Sequence, residues 1–166
     1  ERLGRFVELR SLDLYRCDIT SVPEYIGNMQ ALQSLQLVMI ELVELPESIG
    51  RLHNLEYLRL FNNKLTRLPD SLGQLKALRA LNITSNKLTE FPSTIARLPF
   101  LCFLNADNNL WQRPPKSVME TGGYEGVKKG ENIAGIRRYF DALDAHGAST
   151  SRTFKLILVG TGEAGK

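Results

Sequence analysis

An α/β solenoid of short parallel strands, closed at its C-terminal end by a helical cap, is the fold class this sequence predicts. Three observations carry it. A leucine skeleton restarts at Leu9, Leu32, Leu55, Leu78 and Leu101, each 23 residues after the last. Inside each copy an L-x-L pair alternates with the period of a strand, so both leucines point to one side. After the last copy the spacing changes, and Ile133, Ile136, Phe140 and Leu143 fall on one helical stripe.

The two clearest copies are LEYLRLFNNKLTRLPDSLGQLKA from Leu55 and LRALNITSNKLTEFPSTIARLPF from Leu78. Their shared skeleton is L-x-x-L-x-L-x-x-N-x-L-x-x-L/F-P-x-x-L/I-G/A-x-L. In each, the amide of Asn63, Asn86 or Asn109 is expected to turn inward and bond backbone groups of neighbouring turns, because a buried amide needs such partners. The prolines Pro23, Pro46, Pro69 and Pro92 fix φ on the outer return and prevent a further strand there. One copy cannot bury its leucines alone, so the copies must stack. Cys17 and Ile40 stand where the other copies have Asn, which predicts a local gap in the amide ladder.

This skeleton, unbroken over residues 1–115, resembles the leucine-rich repeat family. The resemblance implies a solenoid whose strands line a concave, partner-binding surface. Residues 1–8, ERLGRFVE, match the tail of a preceding repeat, so further repeats are expected before Glu1.

On five successive strands the outward positions of the concave face would be Ser11, Asp13 and Tyr15; Ser34, Gln36 and Val38; Tyr57, Arg59 and Phe61; Ala80, Asn82 and Thr84; Phe103, Asn105 and Asp107. Tyr15, Gln36, Tyr57, Arg59, Phe61, Asn82, Phe103 and Asn105 are the candidate protein-binding set. Aromatics mixed with an arginine and small polar groups have the composition of interface hot spots. Strand faces also favour aromatics for packing reasons alone. Asn82-Ile83-Thr84 spells a glycosylation sequon, but it falls on a strand and is read as chance.

Residues 116–147 form the expected cap. Pro114-Pro115 opens a turn, Lys116 to Glu120 makes one helical turn, and Gly122-Gly123 stops it. Trp111 and Val118 would cover the open end of the last repeat. The helical stripe then runs to a stop at Gly147, and residues 148–153 make a short flexible joint.

Residues 154–166 end in LILVGTGEAGK. Gly160, Thr161, Gly162, Glu163, Ala164, Gly165 and Lys166 supply the first seven positions of a phosphate-binding loop, and the apolar run from Phe154 to Val159 supplies the strand that should precede it. The hydroxyl position that would hold Mg²⁺ and the following helix lie beyond Lys166, so no nucleotide or other cofactor is expected to bind this fragment itself. Repeats, a joint and then FKLILVGTGEAGK resemble the order in Roco proteins, whose Ras-like GTPase domain follows leucine-rich repeats. The loop is also similar to that of heterotrimeric G-protein alpha subunits, which lack upstream repeats. The Roco resemblance implies GTP and Mg²⁺ as cofactors of the intact parent, although nothing in 154–166 separates GTP from ATP. The alternative is a stand-alone intracellular repeat scaffold whose tail matches the loop by accident.

Composition narrows the remaining classes. The chain has 166 residues, 43% of them apolar, and a net charge of +3. Basic and acidic residues are interspersed, without the basic stripe of a nucleic-acid binder. No apolar run reaches the length of a membrane span. The two cysteines, Cys17 and Cys102, lie four repeats apart, roughly 19 Å at about 4.8 Å per strand, too far to form a disulfide. Unpaired thiols predict a reducing compartment and hence the cytoplasm. His53 and His146 have no second ligand at metal-binding spacing, and His53 is the one histidine of the repeats, so no catalytic residue is assigned. The expected partner is a protein, or the parent's own domains, meeting the concave face.

Overall fold

The computed structural model describes residues 8–120 and 131–146. The glycine pairs and stops at Gly122, Gly123 and Gly147, the 148–153 joint, and the strand and phosphate loop of 154–166, including Gly160 to Lys166, lie outside the described residues.

Five parallel strands form one sheet in sequential order. They are β1 (Ser11–Tyr15), β2 (Ser34–Val38), β3 (Tyr57–Arg59), β4 (Ala80–Asn82) and β5 (Phe103–Asn105). Ser11 pairs with Ser34, Ser34 with Tyr57, Tyr57 with Ala80 and Ala80 with Phe103, so the register follows the 23-residue repeat across the whole sheet. The L-x-L pairs point into the core as the alternation predicts: Leu35, Leu37, Leu58, Leu60, Leu81, Ile83 and Leu104 are all buried. In β1, Leu12 and Leu14 are only half-buried.

The chain leaves each strand through a residue in the left-handed region, directly before the ladder position. Arg16, Met39, Asn62, Ser85 and Asn108 have φ between 50 and 56°. Asn tolerates this conformation; Met and Arg adopt it at a cost of roughly 1–2 kcal/mol each. The second repeat carries a further such residue, Glu41, with φ of 60°.

The three ladder asparagines are buried as expected. The Nδ2 group of Asn86 donates to Leu60 O and Ile83 O, both at 3.0 Å, and its Oδ1 accepts Leu65 N–H at 3.0 Å. Asn109 repeats the pattern one turn later with Ile83, Ala106 and Leu88. The expected gap lies between the first and second repeats. Ile40 is buried but supplies no amide to the first repeat, where Ile19 N–H turns instead to Cys17 O at 2.8 Å. Cys17 itself is half-buried, more open than a small core group, with Sγ 3.5 Å from Tyr15 O.

The outer return is a short 3₁₀ turn at Glu24–Asn28, Glu47–Arg51 and Asp70–Gln74, and an α-turn, α1, at Ser93–Ala96. Each follows its proline, whose carbonyl accepts the N–H three residues on, from Ile26, Ile49, Leu72 and Ile95 at 3.0–3.1 Å. Neighbouring returns pack so closely that a glycine is required. A Cβ at Gly50 would lie 2.5 Å from Ser71 O, and one at Gly73 would lie 2.5 Å from Thr94 Cβ.

Two helices follow the last repeat, α2 (Lys116–Met119) and α3 (Glu131–His146). Pro114 joins Arg113 through a cis peptide bond. Trp111 is buried, donates Nε1–H to Ala106 O at 2.8 Å, and meets Phe91 edge-on. The stripe Ile133, Ile136 and Phe140 is buried in the same core, with Leu143 half-buried and Tyr139 added to the set. Arg137 fixes the helix on the last return. Its guanidinium donates to Ala96 O and Leu98 O at 2.7 Å, with Leu101 O at 3.4 Å. Arg97, on that return, pairs with Asp144 of α3.

Candidate functional site: the concave sheet

Because strands stack in register, outward side chains form rows that cross the sheet at about 4.8 Å per step. One row runs Ser11, Ser34, Tyr57, Ala80 and Phe103; the next runs Asp13, Gln36, Arg59, Asn82 and Asn105. Tyr15 and Val38 begin a third row, in which Val38, expected outward, is buried. Phe61 continues it, its carbonyl accepting Met39 N–H at 3.4 Å.

Small residues between large ones decide the relief. Tyr57 is 42% exposed and Phe103 is half-buried, and Ala80 stands between them in the same row. The result is an open depression of about 190 Å³ lined by Tyr57, Leu58, Arg59, Ala80, Asn82 and Phe103. Arg59 Nη1 donates to Gln36 Oε1 at 3.0 Å, which braces the guanidinium along its row. The Oδ1 atom of Asn82 accepts Thr84 N–H at 3.1 Å, turning that amide along its own strand.

Of the eight residues expected on this face, the depression gathers Tyr57, Arg59, Asn82 and Phe103. Gln36 and Asn105 extend the row of Arg59 on either side. Tyr15 stands apart on β1, 53% exposed, with the Arg16 guanidinium 5.3 Å from its ring centre. Phe61 is half-buried one row above Arg59. Ala80 is the residue that the aromatic-weighted candidate set left out. Its signal was a small residue flanked, at a spacing of 23, by Tyr57 and Phe103.

A second hollow of about 230 Å³ lies on the outer side of the third and fourth repeats, between Thr66–Asp70 and Thr89–Pro92. Arg67, Asp70 and Glu90 around it mix both signs, and Arg67 already pairs with Glu44 at 3.6 Å. Among the described residues no group of three or more His, Cys, Asp or Glu could hold a metal ion. Nor is any helix there long and apolar enough to cross a membrane.

In-register parallel strands, an inward amide ladder and a proline-led outer return define a leucine-rich repeat solenoid. The chain belongs to the leucine-rich repeat region family, whose model matches residues 1–59 and 47–121. Among solved structures it is similar to a leucine-rich repeat protein of Leptospira interrogans, at 42% identity and a TM-score of 0.63, over 64% of this chain and 27% of that one. It is similar to a chain of the BIR3–SERK2 complex from Arabidopsis thaliana, at 30% identity and a TM-score of 0.58, over 67% and 63%. The ectodomain of the Arabidopsis receptor kinase HAESA, solved with the peptide hormone IDA, matches at 28% identity and a TM-score of 0.56, over 66% and 19%. The chain thus spans about a quarter of the Leptospira protein and about a fifth of the HAESA ectodomain. No curated protein sequence matches it. The repeats are a non-enzymatic scaffold.

Proposed function

We propose that this chain is a protein-recognition module of a cytoplasmic signalling protein, the repeat arm of a Roco-type GTPase, and that its concave face receives a protein partner or the parent's own domains. The observation that carries the recognition role is the aromatic-walled depression around Ala80, open to solvent and rimmed by Arg59 and Asn82. Relatives of the same fold solved with a peptide hormone or in the BIR3–SERK2 complex support it. The unpaired thiols of Cys17 and Cys102 support the cytoplasmic placement. Replacing Tyr57 or Phe61 by Ala should weaken partner binding while the chain stays folded. Unchanged affinity in both variants would remove the concave face from the function.

The GTPase parentage rests on the sequence of residues 154–166. In an intact domain the backbone N–H groups from Thr161 to Lys166 would cradle phosphates, and Lys166 would reach the β- and γ-phosphates beside a Mg²⁺ ion. Sequencing the parent transcript beyond Lys166 tests this. A Ser or Thr next, followed by D-x-x-G and an N/T-K-x-D base motif, is the expected result. A stop codon or a low-complexity tail would favour the second reading, a stand-alone scaffold. That reading draws on the family match, which covers the repeats and ends at residue 121. By itself this chain should show no saturable GTP binding in calorimetry.

A further inference from the structure

The depression on the concave sheet has a shape and a charge that specify more than a generic partner. We propose that it takes one apolar side chain of an extended partner segment whose carboxylate, two residues away, pairs with Arg59. This rests on the concave-face reading above and gives that site its ligand chemistry.

The apolar half follows from one row. Tyr57 and Phe103 sit two strands apart, about 9.6 Å between backbones, with Ala80 as the floor between them. A ring or branched chain standing on Ala80 would meet an aromatic wall on each side at van der Waals distance. The depression of about 190 Å³ has room for one such group; at about 30 Å³ per liquid water it equals about six waters.

The acidic half follows from the next row. The Arg59 guanidinium donates to the neutral Gln36, and none of the ion pairs among the described residues includes it. The acid of its own row, Asp13, is two strands away, about 9.6 Å. A guanidinium has five N–H donors, so a carboxylate can still be met in fork geometry. From Ala80 to Arg59 the path is one strand across and two residues along, about 8 Å. That is close to the rise of about 6.7 Å between side chains i and i+2 of an extended chain.

The test titrates isotope-labelled chain with an acetylated, amidated peptide, Gly-Ser-Phe-Ser-Glu-Ser-Gly, up to about 1 mM and follows the backbone amides by NMR. The expected result is saturable movement at Arg59, Ala80 and Asn82. Replacing the peptide's Phe by Ala should weaken binding about tenfold. Replacing its Glu by Gln should weaken binding to the native chain, while an Arg59→Gln chain should bind the two peptides equally. Ala80→Leu, which fills the floor, should abolish the movement with the circular dichroism spectrum intact. Absence of movement, movement confined to other residues, or equal binding of all peptides overturns the proposal. The concave-face reading is judged separately, by the response of the protein partner to Tyr57→Ala and Phe61→Ala. It survives when that response is seen and the peptide is ignored.

Discussion

Asn63 bonds the backbone around Ile40 twice over: its Oδ1 accepts Ile40 N–H at 3.2 Å and Leu42 N–H at 3.1 Å. Its Nδ2 group donates to Leu37 O at 2.7 Å and Leu60 O at 3.0 Å. One buried amide thus anchors the repeat that lacks an amide of its own.

Asn63→Ala should therefore strip this partner from two buried N–H groups and from Leu37 O, while Leu60 O keeps the Asn86 amide, at about 1–3 kcal/mol for each group left unsatisfied. A loss of about 3 kcal/mol or more in urea unfolding is expected. A loss near 0.5 kcal/mol would mean that water replaces the amide. At Ile40 the comparison of Asn with Ala is informative: Ile40→Asn should cost less than Ile40→Ala, because the new amide can reach the first repeat.

Gly50→Ala places a Cβ against the backbone oxygen of Ser71, which cannot rotate away. The outer returns of two repeats must separate, and a loss of about 1–3 kcal/mol is expected, as for overpacked cores. Gly135, with open space around its Cβ position, is the control on a different element. There the change to Ala should stabilise α3 slightly. Equal melting temperatures for the two variants would contradict the close-packing account.

Arg137 closes three carbonyls at the junction of the fourth and fifth repeats with one planar group. Lys offers a single point charge and cannot span them. Arg137→Lys should retain only part of the stability, Arg137→Leu less, with the losses in the range of about 1–3 kcal/mol for charged hydrogen bonds. Hydrogen exchange should show the effect first at Leu98 and Leu101. Uniform exchange across all repeats would deny Arg137 a local capping role.

Tyr57 is a surface residue in energetic terms. Its replacement by Ala should change unfolding free energy by about 0.5 kcal/mol or less, so any loss of partner binding can be assigned to the face itself. A large drop in melting temperature would show that the ring supports the fold.

Much of this structure was legible in the sequence because a repeat imposes each physical demand several times. The register of Tyr57 with Ala80 and Phe103, the inward turn of Asn63, Asn86 and Asn109, and the buried stripe of α3 all follow from periodicity. The gap at Ile40 was legible as a missing letter, but its remedy was not. That Asn63 would serve both Ile40 and Leu42 depends on the backbone path through Met39 and Glu41, both with positive φ, which no side-chain pattern encodes. Arg137 was equally hidden. It is the polar neighbour of a hydrophobic stripe, and its role appears only when the carbonyls of Ala96 and Leu98 come within reach. On the concave face the aromatics drew notice, yet the depression owes its depth to the alanine between them.

The asparagine ladder also has a direction. Asn63, Asn86 and Asn109 each reach back to the repeat before them, to Leu37, Leu60 and Ile83, and none reaches forward. Each turn is completed by its successor, as a zip tooth is held by the next one along. Removing the fifth repeat would orphan Leu88 N–H in the fourth and leave Ile83 O with the Asn86 amide alone, whereas removing the first would take no side-chain amide from the second. Shortening this solenoid from one end and from the other are therefore unequal operations, and the C-terminal end is the one the chain can least afford to lose.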